Sequence, residues 1–191
     1  MNKINCFISN NTPGLWDETV AALGASEHVN RVYLLGKEEP GTLAAGCGFI
    51  KTDGQFSTDT IRKIADHTAG AAYALLITRE VRIELGMFAL ERFLELASGT
   101  GATMLYSDYF DRIGGKLKAH PLIDYQTGSL RDDFEFGPLL FMDSRVLMQA
   151  AGALRESLAF AGLYQLRLRM SLSGLPLRIP EYLYAIEPKS S

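Results

Sequence analysis

Apolar residues come in short runs separated by polar, turn-prone clusters, and the runs alternate with stretches of helical spacing. Ile4 to Ile8 is a run closed by Ser9-Asn10-Asn11, which predicts a buried first strand. Trp16 to Leu23 has helical spacing and stops at Gly24. Arg31 to Leu35 predicts a second strand ended by Gly36, and Cys47 to Lys51 a third. Ser57 stands as the N-cap of a helix carrying Ile61, Ile64 and Ala65, ending near Gly70.

The middle of the chain carries the clearest pattern. Ala72 to Ile77 is continuously apolar, as in a strand buried on both faces. After the polar break Thr78-Arg79-Glu80, one helix face is built from Ala89, Leu90, Phe93, Leu96 and Ala97. Its other face carries Glu91, Arg92 and Glu95. Gly99 and Gly101 end that helix, and Thr103 to Tyr106 is the next strand. Strand, helix, strand at this spacing predicts a right-handed crossover with parallel pairing. The expected class is α/β, with a Rossmann-like sheet in the first half.

In the second half Gly114-Gly115 predicts a hairpin turn between Tyr109-Phe110 and Leu117-Lys118. Leu139 to Met142 is a buried strand, and Ser144 is expected to cap a helix through Ala150. Between 162 and 172 the pattern is double. Leu166, Leu168 and Met170 alternate with Arg167 and Arg169 as in a strand, whereas Leu163, Leu166 and Met170 fit one helix face. We read it as a helix. Leu175 to Ile179 and Tyr182 to Ile186 are short extended pieces around Pro180. No repeat, low-complexity tract or linker divides residues 1–191, so one domain is expected.

At 191 residues, such a domain buries roughly 70 % of its unfolded surface. The net charge of −3 offers no basic face for nucleic acid. Cys6 and Cys47 lie in separate strand patterns and read as small apolar residues rather than a disulfide framework. No apolar stretch approaches the ~20 residues that cross a bilayer. The chain enters a strand pattern directly after Met1, without a signal peptide, and a cytoplasmic location is the expectation.

Ligands of open α/β sheets bind at the carboxyl ends of the strands. That rule selects Ser9-Asn10-Asn11, Gly36-Lys37-Glu38-Glu39, Thr78-Arg79-Glu80 and Ser107-Asp108. Asp108 follows an apolar strand directly, as either a ligand-facing acid or a turn initiator. Asp132-Asp133, with Glu135 two residues on, groups three carboxylates ahead of a buried strand. Such a group binds a cation through oxygen, supplies a general base, or is a solvated acidic loop. His28 and His67 sit near helix ends. His120 precedes Pro121 in an extended segment within reach of a ligand. No nucleophile elbow, phosphate-cradling glycine loop or paired-cysteine zinc motif occurs.

The order of elements resembles the family-2 glycosyltransferases, whose fold is GT-A. The likeness is strongest from Tyr73 to Tyr109, through Ala89-Leu90-Glu91-Arg92 and Gly101-Ala102 into Tyr106-Ser107-Asp108. Gly128 to Phe134 and Phe136-Gly137 look like a bacterial branch of that family. The resemblance implies transfer of a sugar from a nucleotide-diphosphate donor to a glycan or other hydroxyl acceptor, with inversion. It also implies Mg²⁺ or Mn²⁺ held by an Asp-x-Asp motif, a carboxylate base, and an acid near the second strand for the nucleoside.

The sequence departs at each place. Thr78-Arg79-Glu80 stands where Asp-x-Asp is expected, so Glu80 is the one metal ligand and Arg79 brings positive charge of its own. Gly36-Lys37-Glu38 replaces the second-strand acids, with Glu38 as substitute. Gly162-Leu163 falls where the family has its catalytic Glu-Asp, leaving Asp132 or Asp133 as the expected base. Asn10 and Asn11 occupy the family's Tyr-Asn region. The expected donor-binding set is therefore Asn10, Asn11, Glu38, Thr78, Arg79, Glu80 and Asp108. A second transferase domain in a longer protein is an expected partner. The alternative activity is a non-catalytic GT-A domain binding a nucleotide sugar, glycan or partner. An unrelated Rossmann-like enzyme is disfavoured, because no Gly-x-Gly-x-x-Gly turn follows the first strand.

Overall fold

The structure is a computed structural model and describes residues 3–12, 14–54, 56–126 and 134–187. Strands β1 (Ile4–Ser9), β2 (Val29–Gly36), β3 (Cys47–Lys51) and β4 (Tyr73–Ile77) lie parallel. Every residue of β1 and β4 is buried, which explains their unbroken apolar runs. The remaining strands are β5 (Arg82–Leu85), β6 (Met104–Ile113), β7 (Lys116–His120), β8 (Leu139–Asp143) and β9 (Leu177–Glu187). They extend one mixed sheet in the order β3-β2-β1-β4-β8-β6-β9-β5, with β7 paired to the outer half of β6.

The helices are α1 (Asp17–Gly24), α2 (Thr58–Asp66), α3 (Ala89–Thr100), α4 (Ser144–Gly152) and α5 (Gly162–Ser173). Helices α2, α4 and α5 pack on one another, α1 rests on β2 and β5, and α3 on β6. Ring stacking of Phe93 on Phe141 at 5.3 Å ties α3 to β8. The N-caps follow local chemistry: Ser57 Oγ accepts from the Thr60 N–H at 3.1 Å, closing the first turn of α2.

Four expectations need correction. β4 and β6 do not pair; antiparallel β8 lies between them, bonded to both. The crossover therefore spans two strand positions, because Leu139 to Asp143 is apolar enough to occupy a place buried on both faces. The cap of α4 is Asp143, whose carboxylate accepts from the Arg145 and Val146 N–H groups; Ser144 is the first helical residue. β5 follows the polar break and pairs antiparallel with β9, which sequence pattern did not predict. The two extended pieces around Pro180 are one strand, β9. Its register against β6 jumps from Ile179↔Ser107 to Tyr182↔Asp108, so Pro180 sits in a bulge where no ladder N–H is required.

Candidate functional site

Strands β1, β2, β4, β6 and β9 run in one direction, so their carboxyl ends share one edge of the sheet. Beyond β1 and β2 this edge opens into two hollows of about 880 and 540 Å³. The larger is lined by Asn10, Trp16, Glu38 and the 39–44 loop, the smaller by Ser9, Thr52, Asp53, Phe56 and Phe160. Asn11 and Lys37 line both. Asn11 donates to Ser9 Oγ at 2.9 Å, which fixes its amide at the head of β1. Phe160 is 90 % exposed at the mouth of the smaller hollow, an aromatic face presented to solvent.

From this rim a line of polar contacts continues along the edge. Thr12 Oγ1 donates to Glu80 Oε2 at 3.1 Å. Thr78 is held by two contacts to the start of β8: its N–H donates to Pro138 O at 2.8 Å and its hydroxyl to Gly137 O at 3.3 Å. Arg79 then pairs with Glu135 at 3.0 Å. Glu135 Oε1 also accepts from the Tyr109 hydroxyl at 3.2 Å, and Glu135 Oε2 lies 3.8 Å from His120 Nε2. His120 Nε2 is 3.2 Å from the Tyr109 oxygen, and its Nδ1 is 2.8 Å from Asp111 Oδ2.

The strand register assembles that cluster. Tyr109 and Asp111 are two apart on β6 and share a face, while His120 on β7 is the direct cross-strand neighbour of Tyr109. The rings of Tyr184, Tyr109 and His120 stack across β9, β6 and β7 at 5.4 and 4.3 Å. Gly137 lets the chain bearing Glu135 pass over them. Its φ is +75°, and a Cβ there would lie 2.9 Å from the Tyr184 hydroxyl oxygen. Burial, reinforced by the Glu135 carboxylate, raises the Tyr109 hydroxyl well above the ordinary tyrosine range and keeps it a donor. Sequence reading put His120 within reach of a ligand and Glu135 in an acidic group, but could not join them to Tyr109 and Asp111. The one available signal was period-two spacing across the Gly114-Gly115 turn.

Asp108 is held elsewhere. It is buried, accepts from Arg178 through both oxygens at 2.8 and 2.7 Å, and takes the Leu122 N–H at 2.8 Å. Those bonds occupy its carboxylate within the fold, away from both hollows. The environment pushes Arg178 further up from an already high value, chiefly through the bond to Asp108. Asp132 and Asp133 lie outside the described residues.

The described residues do not by themselves make up a divalent-cation site. A guanidinium occupies the middle of Thr78-Arg79-Glu80, and among the described residues no three acidic, imidazole or thiol side chains converge as a metal site. At the start of α5, a Cβ on Gly162 would come within 2.5 Å of Phe56 O, and Leu163 packs against the core. No side chain of any kind fits at 162, which rules out an acid there without moving the helix.

No described helix is long and apolar enough to cross a membrane. No protein-family model matches the sequence, and no curated protein matches it. Among solved structures, the fold is similar to that of S. aureus TarS 1-349, a glycosyltransferase, with a TM-score of 0.68 at 12 % identity. The match covers 96 % of this chain and 60 % of that one, so this chain spans about three fifths of its structural neighbour. The mixed sheet flanked by helices is a GT-A-like glycosyltransferase fold.

Proposed function

We propose that the chain binds a nucleoside-diphosphate sugar along the carboxyl edge of β1, β2 and β4. It transfers the sugar to an acceptor hydroxyl in one inverting displacement. The observation that carries this reading is the pair of hollows joined by Asn11 and Lys37, on a GT-A-like fold, continuing through Thr12 and Glu80 to Arg79. Asn10, Asn11 and Glu38 offer amide and carboxylate partners for a nucleoside. Lys37 and Arg79 supply positive charge at the edge where a diphosphate would lie, so the leaving group is neutralised by side chains and not by a cation. Thr78 holds this loop in place.

Titration calorimetry with UDP, GDP and their sugars, with and without Mn²⁺, tests binding; release of nucleoside diphosphate tests turnover. Binding that is indifferent to Mn²⁺ is expected. A Mn²⁺-dependent signal lost in Glu80→Gln would instead make Glu80 a metal ligand. A second reading is favoured by Gly162, where the family's acid has no room: a non-catalytic domain that binds a nucleotide sugar or glycan. It predicts a rise in melting temperature with donor and no release of diphosphate.

A further inference from the structure

We propose that His120, oriented by Asp111, is the proton acceptor for the sugar-acceptor hydroxyl, an inference that rests on the transferase reading above. A carboxylate only accepts, so the 2.8 Å contact with Asp111 assigns the Nδ1 proton to that bond. A neutral imidazole then carries its lone pair on Nε2. The Tyr109 hydroxyl lies 3.2 Å from it and equally far from Glu135, whose Oε1 also accepts from Arg79 at 3.0 Å. A third of the His120 side chain is open to solvent, so an incoming hydroxyl can compete with Tyr109 for the Nε2 lone pair.

The protonated state is equally well housed. With Nε2 protonated, the ring donates to Asp111 on one side and faces the Tyr109 oxygen and Glu135 on the other. Stacking on Tyr109 at 4.3 Å fixes the ring plane in both states. The groups facing it are Asp111 and Tyr109 from β6 and Glu135 from the segment before β8. Arg79 stands behind Glu135, and Tyr184 behind Tyr109. This is the nucleophile, base and orienter logic found in hydrolytic triads, applied here to a hydroxyl supplied by the substrate.

The step balances without a metal. The acceptor O–H gives its proton to Nε2 as its oxygen bonds the anomeric carbon. The bond from that carbon to the diphosphate breaks, and the electron pair leaves on the diphosphate, whose charge Arg79 and Lys37 offset. Asp111 acts through His120 and is a positioning residue.

The experiment measures UDP or GDP released from UDP-glucose, UDP-N-acetylglucosamine and GDP-mannose, with water as the acceptor. The unaltered protein is compared with His120→Gln and Asp111→Asn. Expected are a kcat loss of roughly 10²- to 10⁴-fold in His120→Gln with donor affinity by calorimetry unchanged, and removal of the acidic limb of the pH profile. That limb falls as pH falls, because the group works deprotonated. Long-range ¹H–¹⁵N spectra of the unaltered protein should show the Nδ1-protonated tautomer at neutral pH, lost in Asp111→Asn. Turnover that survives in His120→Gln with its pH profile intact overturns this assignment alone. An Nε2-protonated tautomer also overturns it. No release from any donor by the unaltered protein overturns the transferase reading, and this one with it.

Discussion

At the β3-β2-β1 side of the sheet edge, Lys37, Glu38, Glu39 and Asp53 stand at strand ends with no ion-pair partner among the described residues. At the β6-β9 side, Asp108 is paired with Arg178, Arg79 with Glu135, Arg92 with Glu181, and Arg112 with Glu84. The same fold thus leaves charge open over two hollows at one end and satisfies it internally at the other. Unpaired charge is tolerable where water, or a ligand with its own charges, supplies the partner. Buried charge has no such recourse and must be paired within the chain. Of these pairs Asp108–Arg178 joins β6 to β9 with its carboxylate buried, Arg92–Glu181 ties α3 to β9 and Arg112–Glu84 ties β6 to β5. These charges are already committed within the fold.

The sharpest break of that contrast is Arg178→Ala. It leaves the Asp108 carboxylate, whose side chain is 3 % exposed, without its main partner. We expect a loss of about 3–5 kcal/mol in urea unfolding. A loss under ~1 kcal/mol would mean that water reaches Asp108, and would return it to the set of ligand-facing acids. Gly162→Ala comes next. The added Cβ meets backbone at 2.5 to 2.7 Å, which cannot move as a flexible side chain can. Overpacking of this kind costs about 1–3 kcal/mol. A neutral result would reopen the start of α5 to an acidic side chain.

How far the sequence reveals all this depends on whether a signal is local. The apolar run of β4, the amphipathic face of α3 and the Ser57 cap are local, and each is found where the pattern puts it. The segment 162–172 read two ways because its arginines alternate with leucines. Burial of Leu166 and Met170 on one side, four residues apart, decides for the helix. The place of β8 between β4 and β6, and the pairing of β5 with β9, are properties of the sheet and not of any window of residues. The site divides in the same way. Asn10, Asn11 and Lys37-Glu38 were identified by the rule of strand ends, and they do line hollows. Asp108 satisfied the same rule, yet its partner Arg178 is seventy residues on, beyond any local pattern. The joining of His120 to Asp111 and Glu135 needs the β6-β7 register and the passage of Gly137 over two tyrosines.

Arg79 lies on the boundary between the two ends. Its pair with Glu135 is roughly half exposed, so Arg79→Ala should cost only about 0.2–1 kcal/mol of stability. If the guanidinium also meets the diphosphate, the same change weakens UDP binding in calorimetry by more than it weakens the fold. Equal affinity for UDP in both proteins would assign Arg79 wholly to the paired side.

The smallest effect on the fold belongs to Lys37→Ala, and it is the most informative about the open side. Lys37 makes no ion pair among the described residues and borders both hollows, so stability without ligand should stay within about 0.5 kcal/mol. A ligand that binds only the folded state adds about 2.7 kcal/mol at a hundred times its Kd. With UDP at that excess over the unaltered protein's Kd, a tenfold loss of affinity in Lys37→Ala should cut the rise in melting temperature by about half. Because the unliganded protein is expected to be unaffected, any loss of the rise reports binding and not folding. A full rise in the variant would show that the diphosphate does not lie between the two hollows. The open charge at that end would then be ordinary solvated surface.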